Sequence, residues 1–378
     1  MADLTILPVD TPAQRHIFVD MAWDVYRDFP LWVPPLKSQE LELLTPGKHP
    51  YWEQAEGQLF LALRDGRPVG RIAAIEDRNY NAYAQQRCGA WGFFECRDDQ
   101  EAAHALFDAT ARWHRARGLQ YMRGPLNPST NYTCGMLVDG FQLPPSIMMP
   151  WNPDYYPVLA ESWHMRKEQD LFAYHFDRKV MDTTPDWLRQ QLDSIKERKE
   201  FSCRTSSKAT LTEDIRTMLD IYQQSWAQNW GFTPMPLAEA ERHIHELKSV
   251  LDPHFFVLFH CNGVPAAGML ALPDMNPLLK RLNGRIGLTA PWHLWRSRAE
   301  IRGGYRLLLF GIREEYRLMG LPLLLLNFMF EQARKRPDFQ WVEGSWSLED
   351  NEMINDLIED FGGVITKRYR IYRRNLED

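Results

Sequence analysis

The segment Arg306–Leu326 constrains this chain more than any other. A short apolar run ending at Ile312 reads as a buried strand, a loop carrying Arg313 and Arg317 comes next, and Gly320 opens a strongly apolar helix. That order makes an anion site. The first N–H groups of a helix lack intrahelical partners and sit at the positive end of its dipole, so a phosphate there gains hydrogen bonds and field stabilisation together. Arginines add charge and a bidentate fork. Pro322 removes one of the available N–H groups. Taken by themselves, a loop glycine and a first-turn helix proline account for Gly320 and Pro322 equally well.

The segments C-terminal to the loop narrow the choice. After the helix from Leu321 to Arg336 come a strand from Phe339 to Trp346, a capped helix within Leu348–Gly363 and a terminal strand from Val364 to Arg374. This order resembles the C-terminal half of the GNAT acyltransferase superfamily. The acetyl-CoA pyrophosphate loop of that family reads Arg or Gln, two residues, Gly, one residue, then Gly or Ala; Arg317, Gly320 and Pro322 stand at those positions, the last departing from the pattern. Asn351 and Gly362 match the family's Asn at the start of the last helix and its later Gly. The position of the family's frequent general acid, a tyrosine, is Ile358. More narrowly, Asn229-Trp-Gly-Phe-Thr-Pro, Leu272-Pro-Asp-Met-Asn276 and Ser345-Trp-Ser-Leu-Glu-Asp-Asn351 resemble uncharacterised bacterial tandem-GNAT proteins.

The resemblance implies an α/β fold of α+β mixed-sheet type, with two tandem GNAT-like domains, each a central mixed β-sheet flanked by helices. Residues 1–176 are expected to form a degenerate N-terminal domain, 177–205 a linker and the start of the second domain, and 206–378 the acyl-CoA-binding domain. It also implies acyl transfer from acetyl-CoA or another acyl-CoA to an amine or hydroxyl of a small molecule or peptide. Backbone at Phe310, Gly311 and Ile312 would pair with the pantetheine arm; Arg313, Arg317, Leu318, Gly320 and Leu321 would hold the pyrophosphate, with Asn351 nearby. An ammonium is no nucleophile, so a base is required. Glu343 is the candidate, a salt-bridged strand carboxylate being the structural alternative. Tyr369 or Tyr372 could protonate the leaving thiolate, unless these alternating aromatics only pack. Asn229, Trp230, Asp274 and Asn276 are candidates for the acceptor pocket, although turn chemistry alone explains Asp and Asn there.

The chain also reads as a duplication. Phe60–Asn79 and Phe256–Asn276 each present a strand, an Asp-Gly or Asn-Gly turn and a second strand, and Gly124 precedes Asn131 by the spacing at which Gly344 precedes Asn351. The halves differ where an anion would bind. In the first, Asp98, Asp99 and Glu101 occupy the helix start, where a carboxylate caps the free N–H groups itself and opposes a phosphate. Between the hairpin of the second half and its phosphate-loop strand lies an extra stretch, Pro277–Gly304, of the kind that forms a lid or a substrate wall.

Composition excludes several classes. Forty-four basic against fifty acidic residues give a formal charge of -6, so no general electrostatic case exists for nucleic acid or an anionic membrane. Five scattered cysteines without CxxC spacing argue against a disulfide framework and a zinc site, and point to a reducing cytoplasm. No metal is expected; His243 and His245 point to different helix faces. Neither a signal pattern nor a membrane-length apolar stretch is present. A Fem-type aminoacyl transferase, which takes its acyl group from charged tRNA, and a CoA- or small-ligand-binding protein without turnover remain the alternatives.

Overall fold

The computed structural model describes residues 3–183, 186–197 and 200–377. They form two compact units, one of Met1–Leu171, Leu279–Pro291 and Lys367–Asp378, the other of Phe172–Leu278 and Trp292–Thr366.

The first unit opens with β1 (Leu4–Pro8), α1 (Pro12–Val25) and α2 (Lys37–Leu43). Thr11 starts α1 in a reciprocal capping box with Gln14, and Pro12 occupies the first turn. Then come β2 (Ala55–Arg64), β3 (Arg67–Asp77), α3 (Arg78–Ala84), β4 (Cys88–Cys96), α4 (Gln100–Arg115) and β5 (Tyr121–Gly124). A small ribbon, β6 (Leu126–Asn127) with β7 (Thr133–Cys134), precedes β8 (Met136–Asp139), α5 (Tyr155–Ser162) and β9 (Arg166–Asp177). Strands β1 to β4 pair antiparallel in sequence order, and β4 with β5 is parallel.

The second unit contains α6 (Arg178–Asp182), α7 (Asp186–Lys196), β10 (Phe201–Thr205), α8 (Leu211–Trp226), α9 (Leu237–Lys248), β11 (Phe256–Cys261), β12 (Val264–Pro273) and α10 (Asn276–Leu282), whose last residues belong to the first unit. It continues with α11 (Ala290–Gly303), β13 (Gly304–Ile312), α12 (Leu321–Arg334), β14 (Trp341–Leu348), α13 (Glu352–Asp360) and β15 (Val364–Asn375). Strands β10 to β13 pair antiparallel in order, and β13 with β14 is parallel. The later part of β15 adds to the first unit's sheet beside β5. Each unit is thus a mixed sheet flanked by helices.

The duplication is visible in detail. Asp65-Gly66 and Asn262-Gly263 all have positive φ, the backbone of a type I′ turn, and nothing crowds either glycine. Each hairpin carries a register shift at the same offset before its turn, at Ala62/Leu63 and at Phe259/His260. The second unit's core is built around α12, in which Leu321, Leu324, Leu325, Met329 and Ala333 are buried with Tyr305, Val342 and Ile358. Such an all-round apolar helix is stable only inside a fold.

The extra stretch Pro277–Gly304 forms α10, a connection and α11. Its connecting part is tied into the first unit, where Trp23 donates to Asn283 at 2.9 Å and Lys37 N–H to the Gly284 carbonyl at 3.0 Å.

Candidate active site

In the second unit β13 and β14 part. They pair from Gly304 opposite Trp341 to Leu307 opposite Gly344, while β13 runs on to Ile312 and β14 to Leu348. One residue accompanies the parting. The register with β12 passes from Leu270 opposite Leu309 to Ala271 opposite Leu307, leaving Leu308 as an inserted residue. A bulge bends its strand and increases the local twist. Beyond it, the edge of β13 facing β14 offers main-chain groups to an extended ligand, as a sheet edge does to an added strand. Phe310, Gly311 and Ile312 lie on this stretch.

The chain then coils through a 3-10 turn, Glu314–Met319, into α12. Gly320 takes the left-handed conformation at φ +84°, and no side chain caps the first turn of α12. A side chain at Gly320 is excluded by packing as well, because its Cβ would lie 2.5 Å from Ile195 Cδ1 on α7. Arg313 donates to Asp220 at 2.7 Å, and its buried Nε has no hydrogen-bond partner among the described residues. Arg317 donates to the Ser225 carbonyl at 2.8 Å, in the last turn of α8, where free carbonyls attract cations. Leu318 is exposed and Leu321 buried. An uncapped helix start, an unpartnered guanidinium N–H and a strand edge beside a bulge are features that suit an extended, anionic ligand.

Two tryptophans border the parting. Trp226 donates its indole N–H to the Phe310 carbonyl at 3.2 Å, and its ring meets Trp346 edge-on with centroids 5.5 Å apart. Its place in a helical pattern reads as core packing; only the chain's three-dimensional path reveals the contact with Phe310. At the rung below, Glu343 and Arg306 have their Cα atoms in register and both are buried. Arg306 Nε donates to Ser345 Oγ at 3.0 Å and its Nη2 to the Ser345 carbonyl at 3.0 Å. Arg306 is a fixed buried cation where the strands separate, and sequence pattern did not single it out.

The remaining candidates are dispersed. Asn229 and Trp230 are half-buried in the connection between α8 and α9. Asp274 and Asn276 are buried after β12, where Asp274 accepts the Asn276 N–H at 3.2 Å and donates its own N–H to the Gly304 carbonyl at 2.8 Å. Asn351 precedes α13 without capping it by its side chain. The buried Asn355 organises that approach instead, accepting from Ser347 Oγ at 2.7 Å and donating to the Leu348 carbonyl at 2.9 Å. Ile358 is packed into the core, and a Cβ on Gly363 would lie 2.6 Å from it, so the family's usual acid position is apolar here. Tyr369 is fully buried in the first unit, with its Cα in register with Leu137. Tyr372 donates to Glu161 at 2.8 Å; burial first, and then that carboxylate, raise its pKa. A cleft of about 300 Å³ lined by Asp182, Arg189, Leu192, Asp193, Asn327, Glu331 and Arg334 runs beside the body of α12, away from its first turn.

The corresponding place in the first unit is closed. Strands β4 and β5 pair only from Cys88 opposite Tyr121 to Ala90 opposite Arg123, and β4 bulges at Phe93, whose φ is +49°. The chain itself fills the gap: Asn127 Oδ1 accepts the Phe93 N–H at 2.5 Å, and a Cβ on Gly92 would lie 1.7 Å from the Leu126 carbonyl oxygen. The start of α4 is capped by Asp99, which accepts from Ala102 N–H at 3.1 Å and holds Arg64 at 2.8 and 2.9 Å.

Among the described residues no group of three or more His, Cys, Asp or Glu could hold a metal ion, and no helix is long and apolar enough to cross a membrane.

A bulged fourth strand and a parallel partner that parts from it, present in both units, with a glycine-started helix after the bulged strand of the second, define a tandem GNAT fold. A tandem GNAT protein from the clavulanic acid biosynthesis pathway superposes with a TM-score of 0.55 at 11% identity, covering 99% of this chain and 99% of that one. No protein-family model matches the chain. In sequence it is 31% identical over 383 residues to the bacterial ceramide synthase of Caulobacter vibrioides (strain NA1000 / CB15N), covering 99% of this chain and 98% of that protein. It is 28% identical over 364 residues to protein YghO of Escherichia coli (strain K12), covering 95% of this chain and 92% of that protein. The chain belongs to the family that contains the Caulobacter ceramide synthase.

Proposed function

We propose that this chain is an acyl-CoA-dependent N-acyltransferase of the cytoplasm whose acceptor is the amine of a long-chain amino alcohol. The parting of β13 from β14 beside the uncapped start of α12 carries the reading. The relative named a ceramide synthase supports the acceptor class, since a ceramide is the amide of a fatty acyl group with a long-chain amino alcohol.

The amine nitrogen attacks the thioester carbon and a C–N bond forms. The tetrahedral intermediate collapses, the C–S bond breaks, and the CoA thiolate leaves and takes up the proton that the amine gave up. Phe310, Gly311 and Ile312 supply backbone to the pantetheine arm. Arg313, Arg317, Leu318, Gly320 and Leu321 receive the pyrophosphate, with Asn351 at the neighbouring helix start. We assign Glu343 the amine's proton. Arg306 on the same rung is a buried cation of the kind that stabilises a developing oxyanion. Asn229, Trp230, Asp274 and Asn276 are assigned to the acceptor. The proton donor to the thiolate is left unassigned, because Ile358 cannot serve.

Incubation with a long-chain acyl-CoA and sphinganine should release free thiol and yield the N-acyl product by mass spectrometry. Arg317→Ala should lose most of the CoA-induced rise in Tm and lower kcat/KM for the thioester by about tenfold or more. If no CoA species shifts Tm and no thiol is released, the reading fails. Thiol release with an O-acyl product would overturn the amine assignment alone.

A further inference from the structure

Helix α11 shows solvent an apolar face. His293, half-buried, and Ser297 and Ile301, both buried, run along one side of the helix at i, i+4 spacing. Trp292, Trp295 and Ala299 lie on the opposite side, with Trp292 50% and Trp295 71% exposed. Indole rings with one apolar body and one N–H are suited to the boundary between hydrocarbon and water.

The charge on this helix is mainly positive. From Trp292 to its end the helix carries Arg296, Arg298 and Arg302 against one carboxylate, Glu300, in a protein whose net charge is -6. Arg296 and Arg298 are exposed and fall about 80° to either side of the tryptophan stripe at the helical repeat. Arg296 also lies over the Trp292 ring, 5.3 Å from its centroid. An apolar stripe between cationic borders matches an interfacial helix, with the rings in the headgroup region and the guanidinium groups at anionic phosphates.

We propose that α11 docks the protein on the surface of an anionic phospholipid bilayer. The helix lies in the plane of the interface and does not span it. The proposal stands on exposure and charge, independently of the acyl-transfer chemistry, and its test needs no turnover.

The full chain is sedimented with extruded vesicles of phosphatidylglycerol and phosphatidylcholine, and with vesicles of phosphatidylcholine alone. Binding should favour the anionic vesicles, weaken with added salt and blue-shift tryptophan emission. The double variant Trp292→Ala/Trp295→Ala, and separately Arg296→Ala/Arg298→Ala, should each lower partitioning by about tenfold or more with unchanged circular dichroism. Failure of the wild type to sediment with anionic vesicles overturns the proposal, as does partitioning of both variants equal to that of the wild type. Light scattering covers a second copy of the chain as occupant: a dimer abolished by Trp295→Ala, without vesicle binding, also overturns it.

Discussion

Gly320 carries two independent demands at one position. Its φ of +84° lies where an L side chain is strained by roughly 1 kcal/mol or more, and Ile195 fills the space a methyl group would need. The left-handed turn lets the chain leave the 3-10 segment and present the start of α12 without a capping side chain. His114 in the first unit shows what burial does to a titratable ring. It is fully buried, its Nε2 lies 3.3 Å from the Ile75 carbonyl, and a Cβ on Gly89 would lie 2.4 Å from the ring. Burial pushes its pKa from 6.5 down to about 3, so the folded state holds it neutral while the unfolded chain protonates. The stability this confers is complete above pH 6.5 and is lost as pH falls from there toward 3. Between pH 7 and pH 5 the loss from this residue should be about 2 kcal/mol. Urea unfolding of wild type and His114→Gln at both pH values checks this: the variant should lose less on acidification by that amount, and equal losses would refute it.

At the scale of the element, β13 shows how one inserted residue goes with the parting of two strands. Without Leu308, the ladder to β12 would run unbroken from Ala271 opposite Leu307 to Leu270 and its next partner. The bend that accompanies separation from β14 after Gly344 would then lose its cause. Deletion of Leu308 should leave a folded protein with native-like circular dichroism and abolish the Tm rise produced by CoA; retention of the full rise would separate the bulge from binding. The hairpins show the opposite case, in which local chemistry suffices. Asp65-Gly66 and Asn262-Gly263 tolerate positive φ, close two-residue turns and impose the registers around them.

For the whole molecule, duplication and then divergence have left the two units unequal. In the first, Leu126 and Asn127 occupy the parting of β4 from β5, and Asp99 with Arg64 occupies the start of α4. In the second, the equivalent helix start is uncapped. Calorimetric titration with CoA should therefore give one site per chain, and a stoichiometry of two would mean that the Asn127 plug yields to ligand.

Much of this was legible from neighbours in sequence. Turn glycines, the apolar run of α12, the carboxylates opening α4 and the basic loop before Gly320 act within a few residues, where backbone sterics and helix-end hydrogen bonding decide the outcome. Long-range packing decided the rest. Periodicity places Trp226 in a helix, but only the folded chain brings its indole to the Phe310 carbonyl; Arg306 reads as a strand residue until Ser345 closes on it. Arg313 and Arg317 announce a cationic loop, while their partners on α8 come from some ninety residues away. Burial and partner choice at such distances depend on how whole faces fit together, and no window of sequence contains that fit.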